Sequence, residues 1–390
     1  MPDIYQEEIL RRELNRLDFN KLEAQALTEL VTQSAEHSKI LKEENTKQRS
    51  NAKQILQLMN SKNLLKKLDL TKEDLQPYAN VFTDAVDGSM QKYPKPDGSW
   101  LYFFSVARIR YTHGYNSDVE VKVTPQIKSI GQIVPEAAAS EAEEFMFNLE
   151  TEALKVAIES RNVNDKGIVF LDGPIIDPPL SSSQSYIQRR TFAIKEAFNK
   201  NIMVIGIVKR ILGTLFINHY RSFFTSDESV KFENMNSDKN LAVHVLTDYL
   251  RTDKGMIAFT EPIIMSEANP SGSFIGKKGN ELAKKYHDEG VDVVTFLMAN
   301  GYTTNPIRVD FAVSDANKID KIELCKTVIK HIVRWAAPGR HLPIPVILAH
   351  EKCNIGQGTA EILFTEFITG SKSNDEDENI IQMKMMGDIH

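Results

Sequence analysis

The chain has 390 residues, 42% of them hydrophobic and 26% charged, with a formal net charge of -6. A chain of that length buries a full core and suggests one large domain or two to three ordinary ones. No apolar run approaches the roughly eighteen residues of a membrane span, and the start, MPDIYQEEILRRELNR, carries charge where an export signal places its apolar stretch. A cytoplasmic protein without a membrane segment is expected. Two cysteines, Cys325 and Cys353, exclude a disulfide framework and a four-cysteine zinc site. The acidic balance argues against coating nucleic acid by bulk charge, because phosphate contacts need clustered Lys and Arg. It leaves open an enzyme that confines its cations to one groove and gathers carboxylates around metals.

Residues 3–66 read as helix: Leu10, Leu14, Leu17, Leu22, Ala26 and Leu30, then Ile55, Leu58 and Met59, recur at three- and four-residue spacing between charges. The expected arm, residues 1–75, either packs on its own domain or forms a dimer contact. From about residue 78 the pattern turns to β-rich runs, NVFTDAVDGSM, WLYFFSVARIRY and DVEVKVTPQI, with a turn at PKPDGS between the first two. These predict an antiparallel meander. A long helix follows over residues 134–160, with Pro135 near its first turn. GIVFLDG (167–173) and NIMVIGIVKR (201–210) read as buried strands on either side of the helix SQSYIQRRTFAIKEAFNK. The order β-β-β-α-β-α-β is that of an RNase H-like α/β core with a mixed sheet. Further strands are expected at 256–264, 291–299 and 306–313, an amphipathic helix from Lys318, and one continuous helix from about Pro345 through ILAHEKCNIGQGTAEILFTEFI. Residues 76–370 are thus one expected domain. The last segment, 371–390, carries the acidic run NDEDEN and little periodicity; it reads as a flexible tail, with a partner-binding peptide as the alternative.

Asp87, in AVDGS, and Asp172, in FLDGP, each close an apolar strand and precede glycine. Asp-Gly is also an ordinary turn dipeptide, so one such acid means little. Two on neighbouring strands repel each other unless a cation lies between them, and Mg²⁺ or Mn²⁺ prefers such oxygen ligands. The intervening helix offers Glu150 and Glu152, which stand about 200° apart, so only one can face the aspartates. His350 sits inside an apolar run, where a histidine is more often a hydrogen-bonded core residue than a ligand. Lys209 and Arg210 end a strand and either neutralise a phosphate or are simply solvated. SGSFIGKKGN fails as a phosphate loop, because Ser271 replaces the first glycine and Lys278 the Ser or Thr.

Taken together, AVDGS around Asp87, LETEA around Glu150, FLDGP around Asp172, VIGIVKR around Lys209, PIRVDF around Arg308 and Asp310, and PIPVILAHEKCNI around His350 resemble the NurA nuclease family from about residue 78 to 369. The resemblance implies a metal-dependent DNA nuclease, usually with manganese, that works in DNA end processing beside a hexameric HerA-type ATPase and as a homodimer. On that pattern Asp87, Glu150 and Asp172 hold two Mn²⁺ or Mg²⁺ ions, with His350 completing the catalytic set and Lys209, Arg210 and Arg308 as DNA-binding cations. Glu150 is preferred to Glu152 by its place after Leu149. Two departures stand out: Leu342, beside His341, replaces a tyrosine that the family often has before its proline, and Asp310 stands where glutamate is more frequent. A non-catalytic adaptor of a DNA translocase, and an RNase H-like nuclease acting on RNA, are the alternatives.

Overall fold

The computed structural model describes residues 24–370, apart from residues 96, 116, 132–133, 162–165, 177–182, 234, 254, 269–273, 302–304, 338–339 and 341. The chain divides into two compact units, Met1–Ala52 and Lys53–His390. In the first, the described residues belong to helix α1 (Ala24–Ser61), on which Leu30, Val31, Ile40 and Leu41 are exposed.

In the second unit ten strands form one mixed sheet. They are β1 (Leu65–Leu68), β2 (Phe82–Pro94), β3 (Trp100–Tyr111), β4 (Val119–Ile130), β5 (Gly167–Leu171), β6 (Ile202–Val208), β7 (Ile257–Thr260), β8 (Ile263–Ile264), β9 (Asp292–Asn300) and β10 (Ile307–Val313). Their order is β1-β7-β9-β10-β6-β5-β2-β3-β4, with β8 beside β9. β2, β3 and β4 form the antiparallel meander, closed at its first turn by Lys95 N donating to Ser99 O at 2.8 Å. β5 runs parallel to both β2 and β6, and β10 returns antiparallel to β6 and β9. The central strands GIVFL and IMVIGIV lack polar side chains because helices cover both of their faces. A meander followed by two parallel strands joined through helices is the RNase H-like order expected from the chain.

Side chains alternate across the sheet, so successive residues of β2 serve different cores. Ala85 packs with Phe170, Ile205, Val328, Ile329 and Val346, on the face covered by helices α5 (Lys321–Trp335) and α6 (Ile344–Cys353). Val86 packs with Val169, Leu154, Ile158, Ile187 and Tyr286, on the face covered by α2 (Pro135–Glu159), α3 (Gln184–Asn199) and α4 (Phe274–Asp288). The cores start where capping signals place them: Ser183 accepts from Tyr186 N, and Asp320 accepts from Ile322 N and Glu323 N.

Three expectations are corrected. The first helix stops at Ser61, not near 66, because Asn63 turns left-handed at φ 55° and Leu64 N donates back to Met59 O. Leu65–Leu68 then becomes the edge strand β1, paired with β7. Residues 256–264 make two short strands and not one. The helix expected from Pro345 onward breaks into α6 and α7 (Gln357–Gly370): Asn354 adopts an extended ψ of 116°, and Ile355 leaves the helix to pack with Leu101 and Phe103 while its carbonyl accepts from Gln91 Nε2. His341 and the acidic tail, residues 371–390, lie outside the described residues. No helix among the described residues is long and apolar enough to cross a membrane.

Candidate active site

Val86 of β2 lies opposite Leu171 of β5 in the parallel register, and Asp172 N continues the pairing by donating to Val86 O at 3.0 Å. Asp87 and Asp172, each one residue further on, therefore emerge side by side. Both side chains point to the face covered by α6, where the first carboxylate meets His350: its Nδ1 donates to Asp87 Oδ2 at 2.8 Å and lies 3.4 Å from Asp172 Oδ2. One ligand atom from each of Asp87, Asp172 and His350 falls within 4.8 Å of the others. The two aspartates are nearly enclosed, whereas the His350 side chain is 58% exposed and forms the open side of the group. The bland reading of His350 as a core histidine does not fit that exposure.

Glu150 approaches from the opposite face. A Cβ built on Gly88 would stand 2.6 Å from Glu150 Oε1, so the absence of a side chain at Gly88 lets this carboxylate reach the strand beside Asp87. Glu152 points elsewhere, into a groove with Arg108, Lys122, Thr124 and Val156. The divergence of the two glutamates follows from the helical repeat.

The two acids and the cations around them act on one another. Burial, and then the neighbouring Asp87 charge, push the Asp172 carboxyl up to about 6, although Lys209 and His350 pull the other way. Lys209 Nζ lies 2.5 Å from Asp172 Oδ2, so this cation is engaged with the acidic centre itself. Cys353, buried beneath Asp87, places Sγ 3.4 Å from Oδ2; burial first, and then the carboxylate, push its thiol well above the usual range. A thiol raised in this way stays protonated and is a poor nucleophile. Two carboxylates and an imidazole whose ligand atoms lie this close make a donor set that fits a divalent cation.

The other cations expected to touch DNA separate. Arg210 is exposed at the end of β6. Arg308 Nε and Nη2 donate to Asp310, at 2.8 and 2.7 Å, and its side chain is 16% exposed, so this edge of the guanidinium is engaged inside the fold. Asp310 is itself fully buried and also accepts from Thr295 Oγ1 at 2.7 Å. Leu342, the departure from the family tyrosine, packs against the core under α5 and α6.

One acid escaped sequence reasoning. Asp84, three residues before Asp87, is fully buried and paired with two arginines: Arg110 Nε donates to Oδ1 at 2.8 Å, and Arg161 Nη2 donates to Oδ2. It faces the α2 side and braces the strand beneath the site. Nothing in TDAVDG marks it apart from Asp87 except its phase, since an odd spacing of three puts the two on opposite faces.

Among solved structures, the chain is similar to Endonuclease V from Bacillus subtilis (14% identity, 77% of this chain and 96% of that one, TM-score 0.32). It is also similar to Ciona intestinalis Endonuclease V in complex with an inosine-containing 23mer DNA (12% identity, 83% and 98%, TM-score 0.34). A third is the C-terminal lobe of a budding yeast Argonaute (10% identity, 80% and 56%, TM-score 0.30). No curated protein matches the chain. The NurA domain model, however, matches residues 83–355, a span that runs from the strand carrying Asp87 past His350 and takes in Glu150 and Asp172. With most of its length inside that match, the chain belongs to the NurA family.

Proposed function

We propose that this protein is a divalent-metal-dependent nuclease that cleaves DNA, with Asp87, Glu150, Asp172 and His350 as its catalytic set. The observation that carries the reading is the convergence of two enclosed aspartates from neighbouring parallel strands on one exposed histidine, with Glu150 admitted past Gly88. Asp87, Asp172 and Glu150 would hold manganese or magnesium, as two ions. A cation bound there supplies a Lewis acid for the phosphoryl oxygen and lowers the pKa of a bound water. The protein's own residues do the positioning. His350 orients Asp87 through Nδ1 and offers its exposed side to substrate. Lys209, about a third exposed, neutralises Asp172 in the free protein and is free to meet the scissile phosphate once that carboxylate has another partner. Arg210 extends the positive edge.

Labelled single-stranded DNA, duplex DNA and RNA, incubated with Mn²⁺, Mg²⁺ or chelator, test this directly; cleavage that persists in chelator, or that is confined to RNA, overturns it. The same assay separates the glutamates. Glu150→Gln should lower metal-dependent cleavage about a hundredfold or more, and Glu152→Gln should leave it within about twofold. The reverse ranking would move the third ligand to the groove beside β4.

Metal affinity should depend on pH. Because the Asp172 carboxyl is pushed up to about 6, it must lose a proton to bind a cation as the pH falls through that value. Mn²⁺ affinity, followed by calorimetry, should be flat above pH 7 and fall by up to about tenfold per unit below 6. A flat profile from pH 5 to 8 would show that no proton leaves Asp172 when the cation binds in that range.

In this reading the enzyme acts in DNA end processing with a HerA-type hexameric ATPase that moves the substrate, and it works as a homodimer. The exposed Leu30, Val31, Ile40 and Leu41 of α1 support self-association through the first unit. Light scattering, alone and with the ATPase from the same genome, tests both partnerships.

A further inference from the structure

The loop that leaves β6 is anchored along its whole length. It begins at Lys209, which is bound to Asp172. Ile211 is buried in the fold, and Asp238 N donates to Gly213 O at 2.9 Å. The Asp238 carboxylate, also buried, accepts from Phe216 N and Ile217 N at 3.1 and 3.0 Å and so fixes the start of the next helix, Leu215–Arg221. Gly213, at φ +96°, makes a turn that side-chain-bearing residues rarely adopt. Between these anchors project Arg210, which is exposed, and Leu212, which at 81% is the most exposed large apolar side chain among the described residues. Three residues of chain keep the Leu212 Cα within about 11 Å of that of Lys209.

A single surface leucine is ordinary. This one is held out by a pinned loop beside the acidic centre, where burial of Ile211 and the Gly213 turn prevent it from folding back. Nucleic-acid enzymes and architectural proteins insert apolar side chains, leucine among them, between base steps, because the faces of stacked bases are the apolar part of DNA. We propose that Leu212 is a wedge that packs against the terminal base pair of a DNA duplex and unstacks it, so that the released strand reaches Asp87 and Asp172. Arg210 then meets a backbone phosphate next to the displaced base. Leu212 touches no reacting atom; it is a positioning residue that presents one strand of a paired end to the site. This inference rests on the nuclease reading.

The test uses Leu212→Ser and Leu212→Met in the full chain, with three substrates: a blunt duplex, the same duplex with two terminal mismatches, and oligo-dT. Leu212→Ser should cut the blunt duplex about tenfold more slowly, cut oligo-dT within about twofold of wild type, and recover on the mismatched end, where unstacking has already been done. Leu212→Met should behave as wild type. A uniform loss on all three substrates, or no loss on the blunt duplex, overturns the wedge. Independently of cleavage, 2-aminopurine in the terminal pair should brighten when wild-type protein binds in chelator and stay dim with Leu212→Ser. Equal emission from the two proteins overturns the inference even if both cut DNA. Should the wild type cut no DNA, the nuclease reading falls and the emission alone decides the wedge.

Discussion

Asp87→Ala and Asp172→Ala should each lower metal-dependent cleavage by about a thousandfold or more while the protein stays folded. The size follows from the geometry: each side chain supplies one of the three ligand atoms that fall within 4.8 Å, and among the described residues the group contains no other acid to take its place. That the fold survives follows from the electrostatics. A carboxyl whose folded-state pKa is raised, as that of Asp172 is to about 6, lends stability that is complete below its unfolded value near 4 and is lost as the pH rises through 6. At pH 8 without metal, the ionised pair therefore strains the fold. Asp87→Asn removes one cause of that strain, so in chelator it should melt no lower than wild type. Mn²⁺ should raise the melting temperature of the wild type and leave that of the variant unchanged. Cleavage close to wild type by either alanine variant would refute the site, and a large loss of stability in chelator would assign the aspartates a structural role instead.

Much of this site was legible because a buried parallel strand has a plain signature. GIVFL and IMVIGIV can be continuous apolar runs only where both faces are covered, and the acid and glycine that follow GIVFL are conspicuous; Asp87, expected to close its strand, instead lies within β2, which runs on to Pro94, at the point where the pairing with β5 ends. The helix between the two aspartates puts Glu150 and Glu152 on opposite sides, which leaves the choice open, and the family resemblance, through the place after Leu149, selects Glu150. Residues whose meaning depends on a distant partner were not legible. Leu65–Leu68, LKKL, continues the helical spacing of the preceding segment, and only its pairing with β7 makes it a strand. Arg308 looks like any strand cation until Asp310, two residues on and on the same face, accepts from its Nε and Nη2. Lys209 was read as facing either phosphate or solvent, whereas its contact in the free protein is Asp172. The exposed side chain of Leu212 could not be foreseen either, since ILGTLF reads as core unless one knows that Ile211 is buried and Gly213 reverses the chain.

The largest effect on stability is expected at Asp84, the other aspartate of the same strand. Its carboxylate is fully enclosed between Arg110 and Arg161, which also donate to Ala157 O, Ser160 Oγ and Ile168 O, so the cluster ties β2 to β3, to the end of α2 and to β5. Both guanidiniums also lie over the Phe82 ring. Asp84→Ala leaves two positive charges in the interior with no counter-charge, and removing one member of such a buried set costs about 3–5 kcal/mol. A domain of this size should then melt on the order of 10 °C lower. The loss should not depend on metal, because the cluster faces α2 while Asp87 faces α6. Asp84→Asn, which keeps an acceptor but not the charge, should fall between the alanine variant and the wild type. The contrast with Asp87 is the sharper test: two aspartates three residues apart on one strand should give opposite phenotypes, a folded but inactive protein at Asp87 and a destabilised one at Asp84. If chelator-treated Asp84→Ala melts with the wild type, the buried cluster does not brace the strand. Its three residues would then have to be replaced together by apolar side chains to learn what they contribute.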